Sequence, residues 1–299
     1  MASGPLYPIA RRRGAYVRPS SAGVKGVHFP LLDKQFIKDS YACRPRKGTH
    51  AAADRLQYWL RQTDRKEQRY YYLKLDISKY FYRVDHAVLI ALLEKKISDK
   101  RLVNLLCTII NSEDTRFGLP AGVDPGAISP EEWLWDVGMP IGNLTSQLMA
   151  NVYLNELDQF AKHNLRLRYY IRYMDDIIIL HPDKKYLATV KEVIEQFLNE
   201  ELRLQLNNKT AIRPCSMGID FVGFRIWATH RKLKKKTAKK IKRRLKYLFE
   251  AYRRGDISTE TLERSIASYK GILQHCNSYG FRQELNRLYK QSGVKIKHD

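Results

Sequence analysis

The chain switches repeatedly between two hydrophobic periods. Ala52, Leu56, Trp59 and Leu60 recur at helical spacing. "YYYLKLDISKYF" (70–81) is dense in aromatic and aliphatic residues and predicts a strand ending near Asp76. Asp85 is placed to cap a helix carrying Val88, Leu89, Leu92 and Leu93, and a further helix is expected over 99–111. Residues 112–140 break the periodicity with Pro, Gly and acidic residues around Trp133 and Trp135, the pattern of a functional loop or an insertion. "GMPIGNLTSQLMANVYLNELDQF" predicts a turn and then a helix, with Leu144, Leu148, Val152 and Leu157 inward. "LRLRYYIRYMDDIIIL" alternates Leu165, Leu167, Tyr169, Ile171 and Tyr173, then resumes at Ile177. That is a β-hairpin with Asp175 and Asp176 at its tip. Leu187, Val190, Ile194 and Phe197 mark a helix over 183–200, and "GIDFVGFRIWATHRKL" a hairpin or strand pair. Thr237 is placed to cap a helix striped by Ala238, Ile241, Leu245, Leu248 and Tyr252 and stopped at Gly255. A last helical region covers 258–291. The result is an α+β chain with an all-helical final third and no internal repeat.

Charge narrows the picture. In 299 residues, 54 Lys and Arg stand against 31 Asp and Glu, for a net charge of +23. That imbalance favours a polyanionic partner, nucleic acid before a membrane surface. With 44% hydrophobic residues the chain is expected to fold, as one large domain or two to three subdomains. No apolar run reaches the length of a membrane span, and "MASGPLYPIARRRGAYVRP" has no signal-peptide core. Residues 1–30 look like a loose basic arm. Cys43, Cys107, Cys215 and Cys276 are scattered without zinc-type pairing, so a reducing, cytoplasmic location is expected. The histidines show no metal-type spacing. "RKLKKKTAKKIKRRLK" (231–246) holds 11 basic residues and no acid beside an apolar stripe. A helix packed on one side and basic on the other suits a nucleic-acid backbone read by shape, with Lys239, Lys240, Arg243 and Arg244 as contacts. A solvated face is the plain alternative.

The chemistry turns on three carboxylates. Adjacent aspartates repel each other and resist burial. An isolated Asp-Asp reads first as a hairpin turn, and Asp76 alone reads equally well as a cap or turn residue. Together, one aspartate at a strand end and two at a hairpin tip make a compact acidic cluster. Mg²⁺ takes oxygen ligands and often uses one or two carboxylates plus substrate phosphates. Two such ions about 4 Å apart can activate a 3′-hydroxyl and stabilise departing pyrophosphate. An acidic cluster inside so basic a protein fits that chemistry.

These residues resemble the reverse transcriptases. Tyr173-Met174-Asp175-Asp176 is similar to their signature hairpin, and "LKLDISKYF" resembles their first catalytic motif, with Asp76 as its aspartate. "MPIGNLTSQ" sits where they carry a nucleotide-pocket motif, and "FVGFRIW", with Gly223, resembles the strand that grips the primer end. The resemblance covers roughly 33–290, with the motifs in order. It implies a right-hand polymerase: 1–70 as N-terminal arm and fingers, 71–230 as palm with part of the fingers, its antiparallel sheet packed on helices, and 231–299 as a basic helical thumb. It further implies two Mg²⁺ ions, dNTPs, template RNA and the RNA/cDNA duplex. Asp76 and Asp175 would be the principal ligands, Asp176 a support, and the Ile77 carbonyl a further donor. Phe81 would be the gate against a ribose 2′-hydroxyl; as a lone aromatic it is more often core. Gly142 would let the chain approach a base, or is a plain turn glycine. Arg44, Arg46 and Lys47 would bind triphosphate or template phosphate, where solvated loop cations are the alternative.

Most reverse transcriptases have Gln-Gly-x-x-x-Ser-Pro in the pocket motif; here it is Ile141-Gly142-Asn143-Leu144-Thr145-Ser146-Gln147. That form is similar to the enzymes of diversity-generating retroelements, as are "DSYACRPRKGTHAA" (39–52) and "SYKGILQHCNSYGFR" (268–282). Those enzymes miscopy template adenines and work with a small, basic, oligomeric accessory protein. Ile141 offers apolar contact where a glutamine can hydrogen-bond the nucleotide, which loosens discrimination by about 1–3 kcal/mol; plain packing is the alternative. "RRRGAYVRPSSAGVKGVHFPLL" departs from the family's usual first fingers motif. A retron or group II intron-type polymerase, and a non-catalytic RNA-binding or maturase-like factor, are the rival readings.

Overall fold

The computed structural model describes residues 32–111, 117–120, 122–139 and 144–292. The basic arm and the pocket residues Ile141 and Gly142 lie outside them. The chain forms two compact units, described in turn.

The first unit takes the chain through Pro45, Leu73–Ile179 and Lys185–Ala211. At its centre lie β1 (Tyr71–Asp76), β2 (Tyr169–Tyr173) and β3 (Asp176–His181), in the sheet order β2-β3-β1, with β4 (Ala211–Pro214) next in the order after β1. The hairpin lies where the alternation placed its turn, but its first strand starts at Tyr169, not Leu165. A π-helical turn over Phe160–Asn164 and the left-handed Arg166 occupy the preceding residues. The expected two-faced alternation is absent too. Tyr169 through Arg172 and Ile177 through Leu180 are all buried, so both faces of the hairpin are covered.

The helices of this unit follow their stripes closely. α2 (His86–Lys96) starts at Asp85, whose carboxylate accepts from Val88 N at 3.0 Å. α3 (Lys100–Ile110) is capped by Asp99 in the same way. α4 (Leu144–Gln159) buries Leu148, Val152 and Leu157 completely or nearly so. α5 (Lys184–Leu202) buries Leu187, Val190, Ile194 and Leu198, while Phe197 is half-buried and stacks on Phe160 at 4.3 Å.

The second unit gathers Arg46–Tyr72, Leu180–Lys184 and the chain from Ile212 on. α1 (Thr49–Asp64) buries Ala52, Leu56, Trp59 and Leu60, as its stripe predicts. The stretch read as a strand pair is three strands, β5 (Ile219–Phe221), β6 (Phe224–Ile226) and β7 (Arg231–Leu233), antiparallel throughout. Val222 and Gly223, both at positive φ, make the tight β5–β6 turn. The basic helix α6 (Lys235–Arg253) starts two residues before Thr237, and its N-cap position, Lys234, supplies no side-chain cap. Its apolar stripe makes it helical without one. Ile241, Leu245, Leu248 and Phe249 pack with Leu262 and Ile266 of α7 (Thr259–Gln274) and Leu285 and Tyr289 of α8 (Tyr279–Ser292). The helical region expected over 258–291 consists of these two helices. Among the described residues no helix is long and apolar enough to cross a membrane, and the four cysteines are free thiols.

Candidate active site

Asp76 is the last residue of β1, Asp175 lies with Met174 in the turn between β2 and β3, and Asp176 is the first residue of β3. β3 lies next to β1 in the sheet, so the strand end and the hairpin tip meet. The electrostatics register the meeting. Burial, with the like charges of Asp76 and Asp176, pushes the Asp175 carboxyl up to about 6, against the pull of its own backbone hydrogen bond and of Lys74. Asp176 is held differently, with Oδ1 2.7 Å from Lys74 Nζ. Among the described residues no three His, Cys, Asp or Glu side chains converge into a ready-made metal cage.

The donors present still suit a hard divalent cation. All are oxygens, and the like-charge pressure on Asp175 is what a bound cation relieves. Ile77 adds a carbonyl on the same strand exit. Asn207 N donates to Asp76 O at 2.7 Å and Ser78 N to Gln205 O at 2.8 Å. These bonds flank Ile77 and leave its own carbonyl out of the bridge.

Phe81 follows on a 3-10 turn, Tyr80–Tyr82, entered through Lys79 at φ 48°. The Phe81 ring lies edge-on to Tyr80 at 5.5 Å, and the Tyr80 hydroxyl donates to Ala150 O of α4 at 2.6 Å. Segment 117–139 fastens this turn from the other side. Met139 N donates to Phe81 O, Leu119 N to Tyr82 O and Gly138 N to Val84 O. Lys79 Nζ reaches Asp124 at 2.7 Å, and the rings of Phe117 and Trp133 pack on Tyr82. Gly138 sits at φ 90° with Phe117 backbone 2.6 Å from where a Cβ would stand, so no side chain fits there. The stretch read as a loop is therefore a brace for the residues after Asp76.

The other expected site residues are scattered between the two units. In the first unit Gln147 is half-buried in the first turn of α4. The Arg44 guanidinium is engaged internally, by Asp33 and by the carbonyls of Ile37 at 2.7 Å and Ser40 at 2.9 Å. In this state it organises its own segment. In the second unit lie Arg46, Lys47, Gly223 and the basic face of α6. Lys239, Lys240, Arg243 and Arg244 are all exposed there, opposite the buried stripe.

Sequence reasoning passed over Lys74, Arg172, Asp158 and Asn151. Arg172 is completely buried between β2 and α4, with Nε 2.8 Å and Nη2 2.7 Å from the two oxygens of Asp158. The signal was available: an arginine inside "YYIRYMDD" and an aspartate inside an apolar helix stripe each require a buried partner.

The mixed helix-and-sheet fold thus carries one aspartate at a strand end and two at the adjoining hairpin. The chain belongs to the reverse transcriptase (RNA-dependent DNA polymerase) family, whose model matches residues 25–226. It is 27% identical over 231 residues to protein YkfC of Escherichia coli K12, covering 66% of this chain and 57% of YkfC. It is 22% identical over 308 residues to the group II intron-encoded protein LtrA of Lactococcus lactis, covering 75% of this chain and 48% of LtrA. The chain thus spans about half the length of these curated relatives. Among solved structures, apo telomerase of Candida tropicalis superposes with a TM-score of 0.52 at 14% identity, over 91% of this chain and 54% of that one. The likeness is one of fold, the right-hand polymerase.

Proposed function

We propose that the chain is an active RNA-directed DNA polymerase, extending a DNA primer on an RNA template with dNTPs and Mg²⁺. The observation that carries the reading is the placement of Asp76 at the end of β1, next in the sheet to β3, which begins at Asp176 directly after the Asp175 turn. Asp76, Asp175 and the Ile77 carbonyl would hold the ions, with Asp176 in support. When bound, the ions supply charge for 3′-hydroxyl attack and pyrophosphate departure. Phe81, Ile141, Gly142 and Gln147 would shape the nucleotide pocket, with Lys47 and Arg44 towards phosphate; Arg44 would first have to leave its internal partners. Gly223 and the exposed cations of α6 would hold the duplex. In domain terms, residues 1–70 would serve as arm and fingers, 71–230 as palm and 231–299 as thumb.

The finer reading is an error-prone polymerase of the diversity-generating type, cytoplasmic, working with a small basic accessory protein. The Ile141…Gln147 form of the pocket motif supports it. An intron-type polymerase is the rival, and the match to LtrA is consistent with it.

Primer extension on a defined RNA, with and without Mg²⁺, tests the activity. Asp175→Asn should abolish DNA synthesis while RNA binding persists, because it removes a ligand and leaves the basic surfaces intact. Full extension by that variant refutes the assignment.

A further inference from the structure

Arg172 is tied to more than Asp158. Its Nη1 lies 3.2 Å from Asn151 Oδ1 and 3.2 Å from the carbonyl oxygen of Met174. Asp158 Oδ1 also accepts the Tyr170 hydroxyl at 2.8 Å, and Asn151 Nδ2 donates to Ala42 O at 2.8 Å. The main chain of Arg172 is pinned as well, by Asp39 O and Tyr41 N, each at 3.0 Å. The guanidinium therefore has one position available, and its free edge meets the residue before Asp175.

Met174 is at φ 52°, the left-handed region that a side chain disfavours. Such a residue persists only when its surroundings impose it. A buried ion pair is itself a weak source of stability, since an apolar substitute of equal volume often does as well. The Arg172–Asp158 pair does something an apolar pair cannot: it presents a fixed donor to the Met174 carbonyl.

We infer that Arg172 is a positioning residue for the aspartate turn. Held by Asp158 and Asn151, it clamps the Met174 carbonyl and so fixes the left-handed turn from which Asp175 projects. The inference rests on the reading of Asp175 as a metal ligand of the polymerase.

The test compares wild type, Arg172→Lys, and Arg172→Lys combined with Met174→Gly. Each is measured for melting temperature, RNA–DNA duplex affinity, kcat and KM for one dNTP, and Mn²⁺ affinity by electron paramagnetic resonance. Lysine keeps the charge but cannot reach Asp158, Asn151 and Met174 together. The expected result is a kcat loss of about 10- to 100-fold, several-fold weaker Mn²⁺ binding, and unchanged duplex affinity. Glycine adopts positive φ freely, so Met174→Gly should return several-fold of both losses without restoring the melting temperature. Unchanged kcat in a folded Arg172→Lys, or a loss that glycine does not relieve, overturns the inference and leaves Arg172 as core packing. If Arg172→Lys does not fold, Met174→Val decides, because it strains the turn with the buried pair intact. It should lower kcat and Mn²⁺ affinity at unchanged duplex affinity, and unaltered values overturn the inference. Undiminished extension by Asp175→Asn would instead fall on the catalytic reading beneath it.

Discussion

Lys74 Nζ stands 2.7 Å from Asp176 Oδ1, so one carboxylate of the aspartate turn already has a counter-charge. Both side chains are mostly shielded, and such a pair contributes roughly 1 kcal/mol or less. Lys74 therefore competes with any cation for Asp176 while relieving repulsion in the metal-free protein. Lys74→Met should melt slightly lower than wild type without metal and gain more from saturating Mg²⁺. Equal Mg²⁺-induced shifts in the two proteins, measured by calorimetry, would show that Asp176 does not face the ion site.

The basic face of α6 predicts a salt signature. Lys239, Lys240, Arg243 and Arg244 are exposed on one side of a helix whose other side is core. Replacing the four by Ala should weaken template–primer binding and flatten its dependence on salt, each lost phosphate contact removing about 1 from the log–log slope. The fold should survive, since the stripe from Ile241 to Phe249 is untouched. A filter-binding titration with an unchanged slope would assign this face to solvent or to a protein partner.

Ile141 offers a test of the finer reading. If the pocket tolerates mispairs for want of a polar contact, Ile141→Gln should raise fidelity, most of all opposite template adenine. A gain of about 1.4 kcal/mol would lower misincorporation about tenfold. Deep sequencing of cDNA from one defined RNA reads the effect, and an identical error spectrum would return Ile141 to plain packing.

Buried tyrosines set an alkaline limit to stability. Tyr80, Tyr153 and Tyr170 are buried, and burial raises all three hydroxyls above the usual value near 10. Their stabilisation is complete below the unfolded value and is lost as pH climbs towards the folded ones. Above about pH 10 the unfolded chain releases these protons and the folded chain keeps them, so stability should fall by about 4 kcal/mol per pH unit from the three together. Urea unfolding at stepped pH checks the slope. Tyr153→Phe, which loses the hydrogen bond to Leu202 O and the one from Asp85 N, should make the slope about a third shallower.

How far the sequence could be read follows from what each feature depends on. Asp76 at a strand end and the hairpin turn at Asp175 follow from local pattern, and so do the caps at Asp85 and Asp99. Helix stripes were legible for the same reason: Leu56 or Ile241 is buried by its position in a period. What escaped depends on partners distant in sequence. Alternation along "LRLRYYIRYMDD" turns Arg172 outward, but α4 and residues 39–42 cover that side of β2 and bury it. The brace from 117–139 was opaque because its three bonds to Phe81, Tyr82 and Val84 are backbone to backbone, and its side-chain partners, Lys79 with Asp124 and Tyr82 with Phe117 and Trp133, are distant in sequence. Thr237 looked like a cap because capping residues are common, yet α6 is held by packing and starts without one.

The stacking of His50 on His275, with ring centroids 3.7 Å apart, closes α1 against residues at the far end of the second unit. Gln57 and Arg61 reach the carbonyls of Trp227 and Ala228, 170 and 167 positions further on, and β6 packs on the same helix. At a translation rate of about 5–20 residues per second, those partners leave the ribosome some tens of seconds after α1. For that interval the Leu56, Trp59 and Leu60 face lacks the cover that β6 provides. Nascent chains halted before residue 212 carry that face without any means of closing it. They are the species on which chaperones should act, and the ones that should aggregate first when synthesis stalls.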